Sequence, residues 1–356
     1  MSVSPFAYDA APMRVRFGVG VVDSLPEEIA RLGLRRVLVL CSPEQEETGQ
    51  AVARALGDRS AGVLARARMH VPVEVAREAA RHAADLGADG CVAVGGGSAV
   101  GLGKAIALEH GLPVVAVPTT YAGSEMTPVW GLTEDGRKRT GKDRRVLPVA
   151  VLYDPAFTVG LPVGMSITSG FNAIAHAVEA LYAPDRSPVV SLMAEEGARA
   201  MVDALPRVAA DGADLDARGT ALYASWLCGA CLGATTMSLH HKLCHALGGT
   251  LDLPHAPTHT VVLPHALAYN QAAAPDAVAA LSRAWTTPNP ARGLWDLAGS
   301  LGAPRSLRDL GMAEADVERI AAEVVGNPYA NPAPVTPTGV TRLLRAAWAG
   351  EPPPDR

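Results

Sequence analysis

Residues 90–103 read GCVAVGGGSAVGLG. Gly90 to Val94 is a short, continuously apolar run, the pattern of a strand buried on both faces. Gly95, Gly96 and Gly97 follow at once, then Ser98, and with Gly101 and Gly103 the chain turns into a helical pattern. Consecutive glycines let a backbone come close to a pyrophosphate, and the N–H groups and positive end of the helix then face its charge. Ser98 adds a hydroxyl donor. A tight strand–helix turn with no ligand has the same appearance, so this turn does not establish binding by itself. It is not the GxGxxG pattern near the N-terminus, which disfavours a standard Rossmann enzyme.

Outward from this stretch the same unit repeats. Arg36 to Cys41 (RVLVLC) reads as a buried strand, 44–56 as a helix, and Gly62 to Leu64 as another short strand. Val71 to Leu86 is amphipathic and Ala-rich, and Pro113 to Val117 (PVVAV) is a further strand. Strands alternating with helices imply parallel βαβ units. Beyond Asp154-Pro155 the pattern becomes helical almost throughout, with stops expected at Pro184, Pro188, Pro206, Pro254 and Pro264. The expected architecture is an α/β dinucleotide-binding domain with a parallel sheet over 1–158 and an all-helical substrate and catalytic domain over 159–356. Asn327 to Pro337 reads as an ordered loop and Gly350 to Arg356 as a frayed tail.

A chain of 356 residues exceeds what one hydrophobic core usually organises, in agreement with two domains. The net charge of −5 argues against a nucleic-acid partner. No stretch is apolar and long enough to span a bilayer, and Met1 to Pro12 lacks the basic start and apolar run of a signal peptide. Cys41, Cys91, Cys228, Cys231 and Cys244 are odd in number and scattered, which reads as reduced thiols in a cytoplasmic protein. Cys228 and Cys231 form a CxxC, but in a small-residue helical context rather than at a strand-to-helix turn.

A second turn follows the strand ending at Val117: Pro118-Thr-Thr-Tyr-Ala-Gly-Ser-Glu-Met-Thr127. Its hydroxyls Thr119, Thr120, Ser124 and Thr127 lie where ligands usually bind in parallel sheets, at the carboxyl ends of the strands. Ordinary Ser/Thr turn chemistry is the alternative. Histidine is concentrated further on. Of ten in the chain, six fall within 240–265: His240, His241, His245, His255, His259 and His265. A lone histidine is most often a packing residue, whereas six together point to a site. His241 and His245 are spaced i, i+4, as are Asn172 and His176 upstream, so each pair shares a helix face.

Taken in order, the glycine–serine turn, PTTYAGSEMT, GFNAIAHAVEALYA at 170–183 and HHKLCHALGGTLDLPHAPTHTVVLPHALAYN at 240–270 resemble the iron-containing alcohol dehydrogenase superfamily. TYAGSEMT and HHKLCHALGG resemble its maleylacetate reductase branch, and the likeness covers roughly 10–345. The resemblance implies the dehydroquinate synthase-like fold, a cleft active site between the domains, and reduction of maleylacetate to 3-oxoadipate with NADH or NADPH in the breakdown of aromatic compounds. The cofactor residues it implies are Ser42, Gly95, Gly96, Gly97, Ser98, Thr119, Thr120, Ser124, Thr127 and Lys138. Strand 36–41 ends in Ser42-Pro43 with no carboxylate until Glu44, so NADPH is expected alongside NADH. His245, His241, His176 and His255 are the catalytic candidates, and Tyr121, Asn172 and Lys242 the substrate-binding ones.

Metal-dependent members use an Asp and three His, at the positions of Asn172, His176, His241 and His255. Asn172 removes the anionic ligand, so no divalent metal is expected to be needed; were one bound, His176, His241 and His255 would hold it. Ala333 is a second departure, where many relatives are expected to carry a basic residue. The expected partners are a small dicarboxylate and a second copy in a homodimer, with no nucleic acid and no membrane. The alternatives are a reductase of another enone, aldehyde or ketone, a metal-dependent alcohol dehydrogenase, and a catalytically silent binding protein on this scaffold.

Overall fold

In the computed structural model, residues 6–8, 10–11, 13–134, 137–326 and 329–354 are described, with backbone alone for Arg137 and Lys138. Two compact units emerge. The first is Ala10–Leu161 with Ala213–Leu222, and the second is built of Pro162–Gly212 and Tyr223–Arg356. Among the described residues no helix is long and apolar enough to cross a membrane.

The first unit is a six-stranded parallel sheet. Its strands are β1 (Arg14–Phe17), β2 (Val37–Cys41), β3 (Ser60–Ala65), β4 (Gly90–Gly95), β5 (Val114–Pro118) and β8 (Ala150–Tyr153), in the order β1-β8-β5-β4-β2-β3. A separate antiparallel hairpin pairs β6 (Val129–Glu134) with β7 (Arg137–Lys142). The helices are α1 (Leu25–Arg31), α2 (Glu46–Leu56), α3 (Val73–Asp85) and α4 (Gly97–His110). Every residue of β2, β4 and β5 is buried, as their unbroken apolar runs require. Ile29, Val39, Val92, Val115 and Leu152 lie in one core cluster. β4 and β5 are adjacent, with Gly95 opposite Pro118. The glycine turn and the hydroxyl turn therefore leave the same edge of the sheet side by side.

The second unit is helical: α5 (Val163–Tyr182), α6 (Pro188–Ala210), most of α7 (Leu215–Ala234), α8 (Leu239–Leu251), α9 (His255–Asn270), α10 (Pro275–Trp285), α11 (Pro290–Ser300), α12 (Asp316–Gly326) and α13 (Pro337–Ala349). Leu243, Leu247, Val262, Ile320 and Leu344 share its core. The first turns of α7 belong to the sheet unit because Arg218, fully buried, donates to the Leu161 carbonyl at 2.9 Å and the Tyr121 hydroxyl at 3.3 Å. A single cut at 158/159 does not anticipate this return of the chain.

Two expected helix stops are not stops. Pro206 lies inside α6 and Pro264 inside α9. An interior proline forfeits a hydrogen bond and costs about 3 kcal/mol. Here the flanking Leu205, Val208, Leu263 and Ala266 are all buried, and that packing outweighs the loss. Pro188 instead opens α6, and Pro254 directly precedes α9. Of the expected loop, 327–328 lie outside the described residues. Beyond them Asn331 exchanges hydrogen bonds with Asn270 at 2.7 and 3.0 Å and fixes the chain. In the tail Glu351 and Pro352 are exposed but Pro353 is buried, so the chain is not simply frayed from Gly350.

Candidate active site

In the sheet unit, Gly95 has φ +147°, and a Cβ there would lie 2.8 Å from Gln45 Oε1 and 2.9 Å from Ala99 Cβ. Only glycine is comfortable in both respects. Gly96 is the N-cap of α4 and makes no side-chain cap. The first turn, with Gly97 exposed and Ser98 half-buried, thus presents helix N–H groups at the sheet edge. Gly103 packs its bare Cα toward Val114, where a Cβ would come within 3.1 Å. Thr119 is tied down, its hydroxyl accepting from Gln45 Nε2 at 2.8 Å. Thr120 is half-buried, and its side chain covers Gly96.

Lys104 holds the second turn in place. Fully buried on α4, its ammonium donates to the Ser124 carbonyl at 2.7 Å, the Val129 carbonyl at 2.7 Å and Thr127 Oγ1 at 3.0 Å. Burial pushes its pKa down to about 7, and the Glu125 charge pulls the other way. Three acceptors match the three protons of the charged form, which they help to retain. Burial raises the Glu125 carboxyl, against a 2.7 Å hydrogen bond from Tyr153. Thr127 is committed to this network and Ser124 remains half-exposed. Tyr121 is wholly buried and its hydroxyl accepts from Arg218. Ser42, half-exposed, donates to the Glu44 carboxylate and holds it below its ordinary pKa. The Lys138 side chain lies outside the described residues. Gln45, Lys104 and Arg218 carry no motif signal, because their partners are backbone carbonyls or residues distant in sequence.

In the helical unit, α5, α8 and α9 bring the polar residues together. Asn172, His176 and Glu179 occupy successive turns of α5 and are buried. The His176 ring stacks on His241 of α8, with centroids 5.2 Å apart and planes at 28°. Glu179 accepts from three donors: the Ser238 N–H at 2.8 Å, the His240 N–H at 2.8 Å and His241 Nδ1 at 2.7 Å. Behind them His240 Nε2 and His259 Nδ1 share a proton at 2.9 Å. Burial, reinforced by the neighbouring imidazoles, drives His176, His240 and His259 well below the usual histidine pKa, so all three are neutral. Burial alone lowers His265 to about 4. Asn172 Oδ1, His176 Nδ1 and His241 Nε2 are buried and have no protein partner, a concentration of unmet polar atoms that calls for a ligand.

His255 is half-buried at the start of α9, its ring 4.4 Å from that of His259. His245 and Lys242 are exposed, and Lys242 Nζ lies 5.7 Å over the Tyr329 ring. His240 and His259 enter the sequence reading only as members of the histidine cluster, with no role of their own, and Glu179 is not singled out; it follows His176 by three residues, which is the signal that could have found it.

The donor set lacks the anionic ligand of the metal-dependent members. Asn172 offers a neutral amide. Among the described residues the ligand atoms that converge within 4.8 Å are those of His240, Cys244 and His259, not those of His176, His241 and His255. That group is itself engaged otherwise, since the two imidazoles are hydrogen-bonded to each other and burial keeps the Cys244 thiol protonated. Cys228 and Cys231 are fully buried inside α7 with raised pKa values, not at a redox-active turn.

Two family models match the chain: "Iron-containing alcohol dehydrogenase" over residues 12–155, and "Fe-containing alcohol dehydrogenase family, C-terminal" over 166–348. A maleylacetate reductase of Burkholderia cepacia is 54% identical over 98% of this chain and 99% of its own. The crystal structure of a maleylacetate reductase from Agrobacterium tumefaciens has 51% identity and a TM-score of 0.96, covering 98% of this chain and 100% of that one. A putative alcohol dehydrogenase from Ralstonia eutropha has 57% identity and a TM-score of 0.97, covering 99% and 100%.

Proposed function

We propose that this chain, which belongs to the iron-containing alcohol dehydrogenase family, reduces maleylacetate to 3-oxoadipate in the breakdown of aromatic compounds. The observation that carries the reading is full-length identity above one half to proteins that bear that name. A nicotinamide dinucleotide, when bound, supplies a hydride to the alkene carbon β to the ketone. The alkene electron pair then passes to the ketone oxygen, and a proton at the α-carbon completes the saturated product. Two new C–H bonds replace one π bond, and the nicotinamide is oxidised.

The chain's own residues supply the rest. In the sheet unit, Gly95 to Ser98 are suited to the pyrophosphate, with Thr120 and Ser124 beside them. In the helical unit, the unpartnered atoms of Asn172, His176 and His241 support a polar substrate pocket. We assign proton delivery to His241 Nε2, which is bare in the resting protein and takes up a proton from solvent in each cycle before passing it to the α-carbon, with His245 as an exposed neighbour one turn on. The test is NADH oxidation with maleylacetate beside a panel of enones, aldehydes and ketones. Turnover of an aldehyde or ketone at its carbonyl, with none of maleylacetate, would replace this reading by that of an alcohol dehydrogenase.

Activity is expected to survive dialysis against a strong chelator, with elemental analysis of the dialysed protein. Activity that vanishes with the metal and returns only with added iron or zinc would overturn the metal-free site. For the dinucleotide, the Glu44 carboxylate held by Ser42 modifies what the strand end suggests, because it adds a negative charge just beyond the end of β2, where dinucleotide sites strict for NADH carry their acidic residue. NADH is therefore expected to be the better substrate and NADPH the weaker, and Glu44→Gln should move the ratio of their kcat/KM values severalfold toward NADPH. An unchanged ratio would remove Glu44 from cofactor choice.

A further inference from the structure

We propose that Glu179 is the positioning residue of this site: it holds the proton of His241 on Nδ1 and fixes the ring, so that Nε2 is the atom turned to the substrate. The proposal rests on His241 being the substrate-facing group described above.

The geometry leaves the carboxylate little freedom. Glu179 is fully buried on α5. Its Oε1 takes the His240 N–H at 2.8 Å, and its Oε2 takes the Ser238 N–H at 2.8 Å and His241 Nδ1 at 2.7 Å. An ionised carboxylate only accepts, so a 2.7 Å approach to Nδ1 requires the hydrogen there. The two backbone donors are those of the N-cap Ser238 and of His240 in the first turn of α8, where N–H groups lack helical partners and the helix end favours negative charge. They stabilise the buried anion and prevent it from turning away from the ring. A carboxylate behind an imidazole, fixing its tautomer and direction, is the arrangement by which a histidine is aimed at a reacting centre. The far nitrogen, Nε2, is buried with no protein partner. The stacked His176 ring limits tilting of the imidazole from one face.

A helix cap alone would explain the two backbone contacts but would not fix a tautomer, and this difference is measurable. The full-length protein, labelled with 15N at histidine, is studied by long-range 1H–15N NMR, and His241 is identified by the signal lost in His241→Asn. We expect His241 to be protonated at Nδ1 and bare at Nε2. Glu179→Gln places an amide N–H against one of the three donors and should release the tautomer. By analogy with carboxylates hydrogen-bonded behind metal-bound histidines, whose loss costs about 10–100-fold, a drop of that order is the expected effect here. We expect that loss in kcat with maleylacetate, no change in the dissociation constant of NADH, and partial recovery in Glu179→Asp, which keeps the charge.

A wild-type His241 whose only proton sits on Nε2, leaving Nδ1 bare, would overturn the proposal whether or not any variant folds. A folded Glu179→Gln protein with the wild-type tautomer would overturn it equally. If the tautomer behaves as expected but the wild-type protein does not turn over maleylacetate, the positioning role stands and the assignment of substrate fails.

Discussion

His241→Asn is expected to lower kcat for maleylacetate reduction by about 10²–10⁴, the range associated with a lost general acid, while NADH binds as before. Asparagine is the informative replacement. Its side-chain NH2 falls near the position of Nδ1, so a donor to Glu179 can be kept and the buried carboxylate is not left unpaired, a loss that would itself cost about 1–3 kcal/mol. What disappears is Nε2, the buried nitrogen with no protein partner. His176 and Asn172 remain in place, so substrate is still expected to bind, and the KM for maleylacetate should change far less than kcat. The parallel change at the exposed His245 discriminates between the two histidines of the i, i+4 pair. If His245→Asn is the variant that loses turnover, and His241→Asn stays within tenfold of wild type, proton delivery belongs to His245.

The residues behind this expectation differ in how visible they are in the sequence. Asn172, His176, His241 and His245 were legible because helical spacing alone puts each pair on one face, and α5 and α8 do present them so. Glu179 was not. Its contact with His241 spans 62 residues, and the backbone N–H groups that hold it in place, 59 and 61 residues away, leave no mark in a sequence. Lys104 escaped for the same reason, since two of its acceptors are carbonyls.

The fold shows a similar division. β2, β4 and β5 are buried on both faces and read as unbroken apolar runs. β1 is four residues long, carries two arginines and is partly exposed at the sheet edge, so no periodicity emerges. The β6–β7 hairpin ends in Arg-Lys-Arg-Thr-Gly-Lys, with no apolar alternation. What holds it is a cross-strand match: the Trp130 ring occupies the space above Gly141, where a Cβ would fall 2.6 Å from the indole. Pro206 and Pro264 misled because a local rule was applied where tertiary burial decides.

Gly96→Val is expected to raise the KM for NADH at least about tenfold, equivalent to about 1.4 kcal/mol, with a smaller effect on kcat at saturating cofactor. The choice of Gly96 over Gly95 matters. Gly95 has φ +147°, so any side chain there strains the backbone and confuses binding with folding. Gly96 has φ −85° and ψ −158°, an extended conformation open to every residue. The obstacle is spatial: a Cβ at 96 would lie 2.8 Å from both Cγ2 and Oγ1 of Thr120. Thr120 is half-buried and can rotate, so the chain should fold. Rotation displaces a hydroxyl of the second turn, and the added methyl groups stand over the first turn of α4, where helix N–H groups are available to an anion. Both changes fall on the strand-end turns proposed to hold the pyrophosphate, and neither touches the histidines. Thermal unfolding near that of wild type, together with a weakened NADH fluorescence titration, would meet the expectation. A folded Gly96→Val protein that binds NADH as tightly as wild type would place the pyrophosphate somewhere other than this turn.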